Sequence, residues 1–160
     1  MAPATIGGMS ATYDKFQVRF YYPENWSIIE EQADDWPRTV TVQSPGTAFW
    51  SLHVYQPAVS PLELAGEVVQ TMREEYPDLD VTTESHEVAG QATAGYDMDF
   101  HCLDLIVHAR VLGIVHGERT FLLMFQAEDA EFERLEQVFL AITTSLLQFS
   151  DPAGEADWDH

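Results

Sequence analysis

The stretch Gln91–Ala127, QATAGYDMDFHCLDLIVHARVLGIVHGERTFLLMFQA, decides the fold. Side chains two apart on a strand share a face, so alternation with period two marks a half-buried strand. Ala92, Ala94, Tyr96, Met98, Phe100 and Cys102 lie in one phase, and Thr93, Asp97, Asp99 and His101 in the other. Leu105, Val107, Ala109, Val111, Gly113 and Val115 form a second apolar phase opposite His108, Arg110 and His116. His116-Gly117-Glu118 turns the chain into Arg119–Ala127, which is apolar in both phases and reads as a central strand covered on both faces. Long strands joined by tight turns pair antiparallel.

Working outward, Val81–Val88 predicts the strand before this run, with a turn at Ala89-Gly90-Gln91. Further upstream the period changes. Ser60-Pro61-Leu62-Glu63 offers an N-cap, a proline at the first helical position and a capping-box glutamate. Leu62, Ala65, Val68, Val69, Met72 and Tyr76 follow as one apolar stripe until Pro77 stops the helix. The opening segment is a meander. Phe16, Val18, Phe20 and Tyr22 share a phase, Trp26–Glu31 and Arg38–Ser44 follow, and the turn Ser44-Pro45-Gly46-Thr47 returns through Ala48–Gln56. A second helix starts near Glu128-Asp129, whose acids suit the positive end of a helix dipole, and buries Phe132, Leu135, Val138, Phe139, Ile142 and Leu146. The order is four strands, helix, four strands, helix. This is an α+β class, an antiparallel sheet of about seven or eight strands with two main helices. Residues 1–12 and the acidic 149–160 read as flexible tails around a single domain, 13–148.

A chain of 160 residues, 46% hydrophobic, can pack one substantial core. Its charge is lopsided: 7 basic residues face 27 acidic ones, for a net charge of -20. A field of that sign repels phosphate backbones and anionic lipid, so the expected partner is a protein rather than nucleic acid or membrane. The single Cys102 excludes an internal disulfide and a multi-cysteine zinc site. Met1–Thr12 lacks the basic-then-apolar order of a secretory signal, and no apolar run reaches the ~20 residues that span a bilayer, so a cytoplasmic location is expected.

Two short patterns carry a family resemblance. The aromatic strand running into Tyr22-Pro23-Glu24-Asn25-Trp26, and Glu87-Val88-Ala89-Gly90 ahead of a long strand, resemble the hallmarks of the PsbP-like superfamily. The closing hairpin Arg110–Gln126 and the helix ending at Thr144-Ser145-Leu146 extend the likeness, which runs from Phe16 to Leu147. The resemblance implies an antiparallel sheet between helices, in a superfamily with no common enzymatic activity. Its members include a photosystem II extrinsic subunit, a yeast Ran-binding protein, bacterial proteins of unknown function and a branch of effector chaperones. No ligand residues are shared, so none are carried over. Trp26 and Gly90 are fold markers, one packing the sheet edge and the other supplying a turn open to glycine.

Chemistry has few footholds. Asp97, Asp99 and His101 share a phase, and Asp104, His108 and Arg110 lie on the neighbouring strand, so carboxylates and imidazole could converge on one face. Such nitrogen and oxygen donors suit zinc. The more economical reading is a polar face laced by Asp–Arg and Asp–His pairs, since no His-x-His or His-x-x-x-His spacing is present. Cys102 shares the buried phase of Phe100 and Met98, and a regular strand puts His101 on the opposite face, which argues against a Cys–His nucleophile. Ser51 and Ser145 have no base at a suggestive spacing, and Gly7-Gly8 lacks the context of a phosphate loop. Phe49, His53 and Tyr55 oppose Trp50, Leu52 and Val54, as Tyr21 opposes Phe20. They form an aromatic interface patch unless a helix covers that face.

The reading is a non-catalytic protein-binding or accessory domain, adaptor-like or chaperone-like, with no catalytic residue, cofactor or metal assigned. The binding candidates are Tyr21, His53, Tyr55, Asp97, Asp99, His101, His108 and Arg110. The alternatives are a metal-dependent or small-molecule-binding enzyme on the Asp97–Arg110 face, and a structural domain that associates with itself as a homodimer.

Overall fold

A computed structural model describes residues 10–31, 38–84 and 87–150. Five strands come first: β1 (Ser10–Lys15), β2 (Val18–Pro23), β3 (Ser27–Glu30), β4 (Arg38–Gln43) and β5 (Phe49–Tyr55). Helix α1 (Pro61–Glu75) follows, then β6 (Asp80–Glu84) and two short strands, β7 (Glu87–Val88) and β8 (Gln91–Ala92). The long strands β9 (Ala94–Cys102), β10 (Leu105–His116) and β11 (Arg119–Glu128) precede helix α2 (Asp129–Phe149). Seven strands form one antiparallel sheet in the order β3-β4-β5-β11-β10-β9-β6, so the α+β class stands and β11 is central as its two apolar phases require.

The two faces are covered differently. On one, Leu64, Ala65 and Val69 of α1 pack on Met98, Phe100, Ala109, Val111 and Leu122. The Ser60 hydroxyl accepts from the Glu63 N–H at 3.2 Å, as the sequence predicts for the start of this helix. Gly113 lets α1 approach, because a Cβ there would lie 2.6 Å from Pro61 Cβ. On the other face, Phe132, Phe139, Ile142 and Leu146 of α2 meet Trp50, Leu52, Leu112, Ile114, Phe121, Leu123 and Phe125. The Trp50 indole N–H donates to Thr143 Oγ1 at 3.0 Å, and Thr143 donates to the Phe139 carbonyl at 2.9 Å, so the polar end of a fully buried ring is satisfied. Trp26 is buried beside Phe139, ring to edge, matching its expected packing role.

Several expectations need correction. Phe16 does not belong to a strand. Phe16 and Gln17 both take left-handed φ values, 56° and 58°, and form the two-residue turn between β1 and β2. The resulting hairpin is a sheet of its own beside α2, where Phe20 packs at a tilt against Trp50 with ring centroids 4.8 Å apart. Ser10–Thr12, expected in a tail, are paired strand, and Phe149 closes α2 with Ser150 as its C-cap. Residues 1–9 and 151–160 lie outside the described residues. Val81–Val88 is not one strand. β6 stays in the main sheet, while β7 leaves it to pair with β8 around Ala89 and Gly90, whose φ values are 51° and 80°. The expected turn role of Gly90 therefore holds.

Candidate functional site

The register of β9 and β10 places Asp97 opposite Arg110 and Asp99 opposite His108, on the face covered by α2. Arg110 Nε donates to Asp97 Oδ1 at 2.8 Å, and its Nη1 lies 3.0 Å from Glu136 Oε2 of α2. His108 Nδ1 is 2.7 Å from Asp99 Oδ1, and Nε2 is 3.4 Å from the same Asp97 oxygen that Arg110 uses. Phe132 roofs the group, its ring 4.3 Å from the His108 ring and 5.5 Å from the Arg110 guanidinium. Arg110 is only 6% exposed. The result is a cage of alternating charge beneath α2.

With a carboxylate at each ring nitrogen, the charged form of the His108 imidazole is favoured. Its pKa is raised chiefly by the hydrogen-bonding contact with Asp97, against the opposing effect of burial, and Asp99 adds to the rise. Asp99 is the nearer carboxylate, but its side chain is 46% exposed and partly shielded by water, so its smaller share is reasonable. Asp99, His108 and Asp129 also bring ligand-type atoms within 4.8 Å of one another. A metal would need the neutral imidazole with a free lone pair. The surroundings of His108 favour the opposite protonation state, so these residues suit the internal ion-pair reading better than a metal centre. His101 stands on the same face, exposed opposite Ile106, and the ion contacts of the cage do not involve it.

The aromatic candidates are not part of this cage. His53 lies on the α1 face of the sheet, its Nδ1 3.0 Å from Thr39 Oγ1 and its Nε2 3.3 Å from Ser51 Oγ. Burial lowers its pKa, with Glu31 opposing, so the ring is neutral near pH 7. Ser51 therefore does have an imidazole beside it, contrary to the expectation from sequence, because residues two apart on a strand share a face. The far ring nitrogen meets the Thr39 hydroxyl in place of the carboxylate that orients such a base in nucleophilic triads. Thr41 in turn donates to Ser51 at 3.3 Å, which makes the group a chain of neutral polar contacts between β4 and β5. Tyr55 packs against the α1 core. Tyr21 is on the separate hairpin, its ring 5.0 Å from Phe149 and its N–H donating to Ser145 Oγ at 2.9 Å. The eight candidates thus fall in three places, and the expected aromatic patch is not continuous.

Sequence reasoning missed two features. Glu136 enters the cage from α2, and no local pattern announces it. The other is the turn between β9 and β10, where Cys102 pairs with Leu105 and leaves Leu103 and Asp104 as the loop. Leu103 is 92% exposed and takes a φ of 52°. Leu105 and Ile106 beside it are also exposed. A signal was present: a two-residue hairpin loop written Leu-Asp rather than with glycine or asparagine.

A scan against known protein families matches none of them, and a search of curated proteins finds no relative. Solved structures do resemble the chain. Cyanobacterial PsbP (CyanoP) from Synechocystis sp. PCC 6803 superposes with a TM-score of 0.56 at 10% identity, covering 91% of this chain and 96% of that one. The protein of unknown function PA94 from Pseudomonas aeruginosa gives 0.47 at 14% identity, over 87% and 96% of the two chains. LpqN of Mycobacterium tuberculosis, involved in cell envelope biogenesis, gives 0.39 at 13% identity, over 88% and 86%. The match to CyanoP spans nearly all of both chains. The two hallmark segments sit in that fold as the resemblance implies, with Trp26 in the core and Gly90 in its turn. The chain has the PsbP-like fold.

Proposed function

We propose that the chain is a non-catalytic accessory domain that binds another protein. The observation that carries the reading is where polar and apolar groups are placed. His108, Arg110, Asp97, Asp99 and Glu136 face one another inside the cage, while large aliphatic side chains face water at the β9–β10 turn. An active site presents its acid, base or nucleophile to a substrate. Here the buried ionisable groups neutralise each other, and the surface offers what an interface uses. The net charge of -20 supports a protein partner over nucleic acid or anionic lipid. The PsbP-like resemblance adds support, because it implies no shared catalytic residues.

The test is copurification from the native host with mass spectrometry, using the full chain as bait. A specific, stoichiometric partner is the expected result. Failure to recover one under gentle conditions, or turnover of a small substrate by the purified protein, would overturn the reading.

A further inference from the structure

Three features meet at the end of the sheet where β9 turns into β10. Leu103 holds its left-handed φ of 52° at the first loop position, where glycine is favoured, and is 92% exposed. Backbone strain and exposure both act against a leucine there, and strained residues cluster at functional sites. Next to it, Leu105 is 52% and Ile106 46% exposed. Consecutive strand residues face opposite ways, so Leu105 lies on the α1 side, and Ile106 shares the α2 side with Asp99 and His108 next to the projecting Leu103.

The third feature is the charge around them. Asp104 shares the loop with Leu103, and Asp99 and Asp129 approach each other on the Ile106 side of the sheet. Asp80 lies directly opposite Asp99 across the β6–β9 pair, a like-charge pairing that disfavours the strand contact. An apolar centre with acidic flanks is complementary to an apolar centre with basic flanks. A second copy of this chain would bring one acidic collar against another.

We propose that this end of the sheet docks a cationic amphipathic segment of a protein partner. Its apolar side chains would rest on Leu103 and Ile106, and its Lys or Arg side chains on Asp99, Asp104 and Asp129. The inference rests on the protein-binding reading above and adds the surface and the chemistry of the partner to it.

The experiment measures binding of two fluorescent synthetic helices to the full chain, one built of Leu and Lys and the other with Glu in place of Lys. Wild type is compared with the double variant Leu103→Gly/Ile106→Thr. Glycine suits the φ of the loop and threonine suits a strand, so the variant keeps the fold, which thermal melting checks. The expected result is that the Lys helix binds wild type, more weakly as salt rises, and binds the variant about tenfold or more weakly. The Glu helix is expected not to bind. Equal binding of the Lys helix to both proteins would overturn the inference, since net charge alone would then account for it. So would absence of binding to wild type. Capture by phosphatidylcholine vesicles that the variant loses would overturn it in favour of a lipid surface. Copurification with the same two baits separates the levels: a partner kept by both removes this surface but leaves the protein-binding function, and no partner on either removes the function.

Discussion

Arg110→Met tests whether the charge cage holds the fold together. Methionine keeps much of the aliphatic stem against Phe132 and removes the guanidinium. Asp97, whose side chain is 12% exposed, then loses its 2.8 Å partner, and Glu136, 35% exposed, loses its 3.0 Å one. A hydrogen bond to a charged group contributes about 1.5–3 kcal/mol, and orphaning one member of a buried pair costs ~3–5 kcal/mol. Glu136 is near enough to water to rehydrate and adds little. The expected loss is therefore about 2–4 kcal/mol at pH 8. At pH 6 it should shrink. His108 Nε2 lies 3.4 Å from the same Asp97 oxygen, and a protonated ring supplies the missing positive charge. The sign follows from the direction of the shift: a histidine raised above its ordinary 6.5 stabilises fully below that value, and this contribution is lost as pH rises through the folded pKa. Removing Arg110 takes a like charge away from His108 and raises that pKa further. Urea unfolding followed by tryptophan fluorescence at both pH values gives the comparison. A loss under about 1 kcal/mol at pH 8, or an equal loss at pH 6, would refute the cage as a structural device. The pair Asp97→Asn/Arg110→Met should recover part of the loss, since it also removes the carboxylate charge that Arg110 balanced.

Three further predictions follow from single positions. His108→Gln should flatten the decline of stability expected of the wild type as pH rises above 6.5, and urea midpoints whose pH slope is unchanged in the variant would assign any such decline elsewhere. Leu103→Gly should stabilise by roughly 0.5–1 kcal/mol, because a left-handed L-residue costs about 1–2 kcal/mol and the flexibility of unfolded glycine returns only part of that. A lower thermal midpoint would show that Leu103 is not strained. Gly113→Ala should destabilise by ~1–3 kcal/mol, since the new Cβ would meet Pro61 Cβ at 2.6 Å and the Pro61 carbonyl oxygen at 2.7 Å. A neutral result in the same melt would mean that α1 does not seat on β10 at that point.

The most legible part of the molecule was the run from β9 to β11. Its strands alternate cleanly, and Gly117 supplies the left-handed turn between β10 and β11 with a φ of 67°. Alternation alone puts Asp97 and Asp99 on one face, and His108 and Arg110 on one face of the next strand. The pairing of Asp97 with Arg110 and Asp99 with His108 follows from the loop at Leu103 and Asp104, whereas the sequence pattern places Asp104 in the strand. That is why half of the cage could be anticipated from residue spacing. Glu136 and Phe132 could not, because a helix reaches the sheet through tertiary packing that no local pattern encodes. The β1–β2 turn failed for a different reason. Phe16 and Gln17 take left-handed angles without glycine or asparagine, so the local signal pointed to a continuous strand through Phe16. The same kind of turn hid the exposed tip at Leu103. Where the chain accepts strain, reading by propensity misplaces the element, and such positions are where function is worth seeking.

The distribution of the few cations bears on how a partner would arrive. Of seven, Arg110 and Arg119 are 6% and 1% exposed, and Arg119 donates to the Gln17 carbonyl at 3.1 Å. Lys15 is paired with Glu30 at 3.0 Å, and the Arg38 guanidinium sits 4.2 Å from the Phe16 ring. Much of the positive charge is thus engaged in internal or local contacts, while most of the acids among the described residues lie where water and partners meet them. The screening length in physiological salt is about 8 Å, so this field acts mainly on approach, over short range. The apolar tip acts only after contact. The two contributions should therefore separate in kinetics. Raising salt should slow association of the Lys-bearing helix and change its dissociation little, whereas Leu103→Gly should speed dissociation and leave association nearly unchanged. Stopped-flow anisotropy resolves both rates. Dissociation that followed salt rather than the leucine would mean that the acids hold the segment and the hydrophobic tip does not.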